Sequence, residues 1–258
     1  MIKKTEHISV KKKVIYSADR TKTTEKVDYL AIEEPVEMAI EFGKLHERKN
    51  QNIAITMRTP GNDDLLCIGF LLTEGIIQKY EDIQAVRLDE LNNKVEVSLH
   101  PDCSFNTDKL SRHLFTSSSC GVCGKTSINH LKTTVPYQLK ANEPLLEREV
   151  LCNLPEVLRT NQELFDQTGG IHATGLFTTQ GNFIQLFEDV GRHNALDKLL
   201  GWALKEGRLP LSNSIILVSG RASFELIQKA LMAGGAVVAA VGAPSSCLLY
   251  TSPSPRDS

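Results

Sequence analysis

Apolar and polar residues are mixed in a strand-like way over residues 27–32, 36–42 and 52–57. The pattern predicts three strands, with Glu33-Glu34-Pro35 breaking the first from the second. A denser apolar run, Leu65–Ile77, follows the turn Thr59-Pro60-Gly61-Asn62-Asp63-Asp64 and predicts a mostly buried helix capped by the Asn/Asp side chains. Residues 83–88 and 94–99, joined across Asn92-Asn93, predict a hairpin with one polar face. Residues 108–115 predict a short helix, and residues 127–139 show no period. Residues 142–155 read as a loop, with Pro155 in the first turn of a helix running to about Gln167 and ended by Gly169-Gly170. A second hairpin is expected from residues 171–178 and 182–187 around Gln180-Gly181. A helix over 195–205 carries apolar residues at 196, 199, 200 and 203. A strand (215–218), a helix (222–232) and a strand (236–241) complete a βαβ unit, which requires parallel strands in a covered sheet.

These elements predict an α/β fold: a mixed sheet with flanking helices and a smaller N-terminal β-rich lobe. The chain divides into a basic segment (1–27), an N-terminal α/β lobe (28–115), a cysteine-bearing loop (116–127), a C-terminal α/β lobe (128–246) and a pattern-free tail (247–258). The 258 residues are 41% apolar and 23% charged, an ordinary globular composition rather than a disordered one. A net charge of −2 predicts neither a nucleic-acid nor a membrane surface. The apolar runs 65–72 and 236–241 fall far short of the roughly 20 residues of a membrane span. Lys3 and Lys4 precede no apolar segment, so no secretory signal is expected and the protein is placed in the cytoplasm, where free thiols persist. Residues 1–27 hold eight Lys/Arg against three acids. That reads as a solvated tail or edge strand, or as a docking arm for an acidic partner.

Candidate chemistry centres on Thr116-Ser-Ser-Ser-Cys120-Gly-Val-Cys123-Gly-Lys125. Several readings of the Cys120/Cys123 pair are open. The thiols can sit idly in a glycine-rich turn, or supply half of a tetrahedral zinc site with His113 and His130, each seven residues from the nearer cysteine. They can act as a thioredoxin-like dithiol, although a serine run rather than a buried strand precedes them. A carrier thiol needs exposure, mobility and a lowered pKa, and a Ser/Gly loop beside Lys125 favours that use. Zinc deaminases also carry a CxxC, but they require His-x-Glu. Here His172-Ala173-Thr174 has threonine in place of the acid and follows the CxxC, which argues against hydrolytic deamination.

Two strand-to-helix junctions suggest an anion site. Ser219-Gly220-Arg221 offers backbone N–H groups and a guanidinium, or forms an ordinary tight turn. In Asp189-Val190-Gly191-Arg192-His193-Asn194, capping by Asp189 or Asn194 leaves Arg192 and His193 unexplained. The carboxyl ends of neighbouring strands are where α/β sheets take ligands, and a polyanion is expected there. His172 is either a structural histidine or part of the same crevice.

Together these residues resemble the FdhD family of formate dehydrogenase accessory sulfur carriers. The matching stretches are Cys-Gly-Val-Cys-Gly (120–124), Gly-Gly-Ile-His-Ala-Thr-Gly-Leu (169–176), Glu-Asp-Val-Gly-Arg-His-Asn-Ala-Leu-Asp-Lys (188–198) and Ser-Gly-Arg-Ala-Ser-Phe-Glu (219–225). Arg-Thr-Pro-Gly-Asn-Asp (58–63) and Gly-Phe-Leu-Leu-Thr-Glu-Gly (69–75) also match, so the likeness covers about residues 28 to 246. The resemblance implies a cytoplasmic homodimer with a cytidine deaminase-like core. It implies that Cys120, assisted by Cys123, accepts persulfide sulfur from a cysteine desulfurase. The sulfur would pass to the molybdenum bis(molybdopterin guanine dinucleotide) cofactor of formate dehydrogenase, with no permanently bound metal. The phosphates of that acceptor would suit Arg192, His193, Ser219, Gly220, Arg221 and His172. In the family a further helix and strand, carrying a cofactor-binding stretch, follow the last strand. Here residues 247–258 stand in their place and read as translated adapter sequence, a non-native tail.

Overall fold

The computed structural model describes residues 9–18, 23–103, 135–140 and 143–244. The first two strands, β1 (Val10–Ala18) and β2 (Thr23–Ala31), form an antiparallel ribbon of their own. The register pairs Val14 with Val27 and Lys12 with Tyr29. Lys11, Lys12 and Lys13 are exposed on β1, so this part of the basic segment is strand, and β2 runs on across residue 27.

β3 (Glu34–Phe42), β4 (Lys49–Arg58), β5 (Ile83–Asp89) and β6 (Lys94–Leu99) make a four-stranded sheet in the order β4-β3-β6-β5. The expected β5–β6 hairpin is present, with Asp89 opposite Lys94. The second sheet has the order β10-β9-β7-β8, built from β7 (His172–Thr178), β8 (Phe183–Asp189), β9 (Ser214–Arg221) and β10 (Val237–Gly242). β9 and β10 are parallel, as the βαβ pattern requires, and β7 runs antiparallel to both β8 and β9.

Five α-helices are found among the described residues: α1 (Asp63–Thr73), α2 (Arg148–Thr160), α3 (Glu163–Thr168), α4 (Arg192–Lys205) and α5 (Phe224–Met232). α1 lies on the first sheet, α4 on the second, and the two helices pack on each other. One apolar core therefore joins Met38, Ile40 and Val97 of the first sheet to Ile68, Leu71 and Leu72 of α1. The same core continues through Leu199 and Leu200 of α4 to Leu176 and Val218 of the second sheet. On the far face of the second sheet a smaller core seats Leu154 and Leu158 of α2 against Ala173, Phe177, Ile215 and Leu217.

The α1–α4 crossing depends on two glycines. A Cβ on Gly69 would lie 1.8 Å from the Asp197 carbonyl oxygen, and one on Gly201 would lie 2.0 Å from that of Leu65. No side chain fits at either point, so the backbones approach each other directly.

Three local expectations are corrected. α2 starts at Arg148, so Pro155 lies inside a helix rather than in its first turn, and residues 148–155 are helical rather than loop. An internal proline costs about 3 kcal/mol through a lost hydrogen bond and a ring clash. Burial of Leu154 and Leu158 on either side of it favours the helix nonetheless. The single helix expected to reach about Gln167 is two helices, α2 and α3, parted at Asn161-Gln162, and Gly169 at φ 65° ends the second. Finally, α1 stops at Thr73 and its N-cap, Asn62, is left-handed with no side-chain cap bond.

Candidate functional site

Because β7 runs against β8 and β9, its first residue shares an edge with their last residues. That edge brings His172 together with the Asp189–Asn194 junction and with Ser219-Gly220-Arg221. The two junctions follow β8 and β9, which lie one strand apart with β7 between them, rather than directly adjacent. Ser219 Oγ accepts a hydrogen bond from the Ala173 N–H (2.9 Å) and lies 3.5 Å from His172 Nδ1. A Cβ on Gly220 would lie 3.5 Å from the His172 ring and 3.6 Å from Arg192 Cδ, so these side chains crowd around the glycine. Burial, and then the neighbouring Arg192 charge, hold the His172 imidazole below its ordinary pKa, with Asp189 opposing. Arg192 Nε and Thr174 Oγ1 are buried without a hydrogen-bond partner among the described residues.

A buried network fixes this edge to the first sheet. Asp189 accepts from Lys198 Nζ (2.7 Å), the Gly191 N–H (2.8 Å), Asn194 Nδ2 (3.0 Å) and the Thr59 N–H (3.2 Å). Lys198 also donates to Thr59 O (2.9 Å), and Asn194 donates to Met57 O (2.8 Å). Next to Thr59, buried Arg58 donates to Asp63 (2.8 Å) and Asn93 (2.8 Å). A second buried set joins three helices: Lys229 of α5 donates to Asp197 of α4 (2.8 Å) and to Thr73 of α1 (3.0 Å). Burial alone would lower the Lys229 ammonium, but the Asp197, Glu74 and Glu225 carboxylates hold its pKa above the usual lysine value.

Beside the edge, between α2–α3 and the second sheet, lies a cleft of about 560 Å³. His172, Ser219 and Val241 line one side, and Arg159, Phe165 and the Gly169-Gly170 pair line the other. The Arg159 guanidinium sits 4.6 Å above the Phe165 ring.

Of the residues expected to form the site, His172, Arg192, Ser219 and Gly220 are brought together. Arg221 is exposed at the end of β9. His193 is buried, and its Nε2 lies 3.1 Å from Glu225 Oε2. Cys120, Cys123, Lys125, His113 and His130 lie outside the described residues, as does the tail from residue 245. Sequence reasoning missed the Asp189–Lys198 and Asp197–Lys229 pairs. Their signal is a pair of adjacent charges, Asp197-Lys198, inside a helix otherwise read as amphipathic.

Fold and site define a mixed α/β protein, with two four-stranded sheets and a two-stranded ribbon among the described residues and polar residues gathered on one sheet edge above a cleft. Among known families, residues 31–249 match the model of the FdhD/NarQ family. The chain belongs to the FdhD/NarQ family. It is 44% identical over 248 residues to the sulfur carrier protein FdhD of Streptomyces avermitilis, covering 93% of this chain and 85% of that one. It is 42% identical over 241 residues to the protein of the same name from Mycobacterium tuberculosis, covering 89% of this chain and 84% of that one. Among solved structures, a formate dehydrogenase accessory protein from Desulfotalea psychrophila shares the fold, with a TM-score of 0.69 at 24% identity over 94% of this chain and 87% of that one.

Proposed function

We propose that this protein is a sulfur carrier serving formate dehydrogenase. The observation that carries the reading is the match of residues 31–249 to the FdhD/NarQ family, together with relatives named sulfur carrier protein FdhD. In this reading Cys120 takes sulfur as a persulfide from a cysteine desulfurase, Cys123 assists, and the molybdenum bis(molybdopterin guanine dinucleotide) cofactor is the acceptor. A thiolate attacks the sulfane sulfur of the donor's persulfide, the S–S bond of the donor breaks, and the donor cysteine leaves as a thiolate.

The edge suits an anionic acceptor. The buried Arg192 Nε has no hydrogen-bond partner among the described residues, the Gly220 backbone is uncovered by any side chain of its own, and phosphate oxygens pair well with guanidinium donors. His172 and Ser219 would orient the acceptor from the cleft side. The finer parts of the proposal are a homodimer working in the cytoplasm and a deaminase-like core in residues 128–246, supported by the degenerate His172-Ala173-Thr174 at the head of β7. The test is Cys120→Ala. Sulfur loading from a desulfurase, followed with labelled cysteine, is expected to be abolished, and unchanged loading would remove Cys120 from the mechanism.

A further inference from the structure

α3 is the part of the cleft wall with the least support of its own. It has six residues, none of them buried, and a helix that short is unstable alone. Its first turn is nevertheless tied down from a distant strand. Glu188, at the end of β8, accepts the Leu164 N–H (2.8 Å) and the Phe165 N–H (2.9 Å). These are two of the four N–H groups that a helix start leaves unpaired, and a carboxylate there also meets the positive end of the helix. On the other side, Arg159 stacks on Phe165 and pairs with Asp166.

The geometry points to Glu188 as a positioning residue, whose carboxylate holds α3 in place as a wall of the cleft and so sets how the cleft receives its ligand. This rests on the reading of the cleft as the acceptor's dock. Burial, helped by the Glu163 and Asp166 carboxylates, holds the Glu188 carboxyl above its ordinary pKa, and the two backbone hydrogen bonds oppose that shift. Across α3, the ribbon carries Lys11, Lys12, Lys13, Glu25, Lys26 and Asp28. Glu188→Gln leaves one acceptor oxygen and turns the other position into a donor facing a backbone N–H, so one bond is lost.

The test is amide hydrogen exchange and calorimetry on the full chain, with guanosine diphosphate as the probe. In Glu188→Gln, protection of the Leu164 and Phe165 amides is expected to fall roughly tenfold to a hundredfold, as loss of a charge-assisted hydrogen bond implies. Protection in β7 should stay as it is, and probe binding should weaken several-fold. Unchanged protection of the two amides in the variant, or loosened amides with unchanged probe affinity, would overturn the proposal. If Glu188→Gln does not fold, Glu188→Asp, whose shorter side chain cannot reach both amides, takes its place, and unchanged protection of the two amides there overturns the proposal. A wild type that binds no probe would remove the acceptor reading of the cleft, while the exchange data still judge the clamp.

Discussion

Lys198 Nζ lies 2.7 Å from Asp189 Oδ2, and both side chains are almost wholly removed from solvent. The pair also takes in the N–H and C=O of Thr59, so a single buried charge pair fastens the end of β4 to the start of α4. Removing one partner leaves the other charge buried and unpaired. Lys198→Met is therefore expected to cost about 3–5 kcal/mol in denaturant unfolding. A loss below about 1 kcal/mol, the range of exposed pairs, would show that the pair is not as isolated from water as the geometry implies.

The α1–α4 crossing gives a second stability prediction. Gly201→Ala places a methyl group against the Leu65 carbonyl, a backbone atom that no rotamer change can move. The expected loss is at or above the upper end of the usual 1–3 kcal/mol, about 3 kcal/mol, for overpacking. A variant as stable as the wild type would mean that the helices separate at little cost.

Much of the second sheet was legible because its strands are short apolar runs set off by glycine and polar turns, as at Gln180-Gly181. The βαβ order also fixed β9 and β10 as parallel. Pro155 misled because local propensity argued for a helix start, whereas packing of Leu154 and Leu158 decided the outcome. The site edge was legible only in part. Arg192, His172 and Ser219 stood out as polar residues at junctions, but that β7 lies between the two junctions is a matter of sheet order. Sheet order depends on long-range pairing, which local pattern does not encode. His193 looked like a ligand group in the sequence because its partner, Glu225, lies 32 residues away.

His172 supplies a pH prediction. Its folded pKa lies below the ordinary 6.5, chiefly through burial and then through Arg192. The unfolded chain therefore binds the proton more readily, and this contribution to stability is present above 6.5 and is lost as pH falls from there toward the lowered value. In an NMR titration, Arg192→Gln should raise the His172 pKa part of the way back. An unchanged value would mean that Arg192 does not act on the ring.

Two of the three described cysteines, Cys67 and Cys103, give a further prediction. Burial raises the Cys67 thiol far above its usual range, and burial together with Asp82 raises Cys103 to about 11. Neither is a ready thiolate near neutral pH. Alkylation of the native protein should spare Cys67 and modify Cys103 slowly, and Cys103→Ser should leave sulfur loading intact. Loss of loading in Cys103→Ser would point to a second sulfur-bearing thiol.

The proposed carriage of sulfur on Cys120 can be read from the intact mass of the protein after incubation with a cysteine desulfurase and cysteine. A gain of about one sulfur atom is expected, removed by a reductant and absent in Cys120→Ala, as for a persulfide on a reactive thiol. No gain in mass, or the same gain in Cys120→Ala, would contradict it.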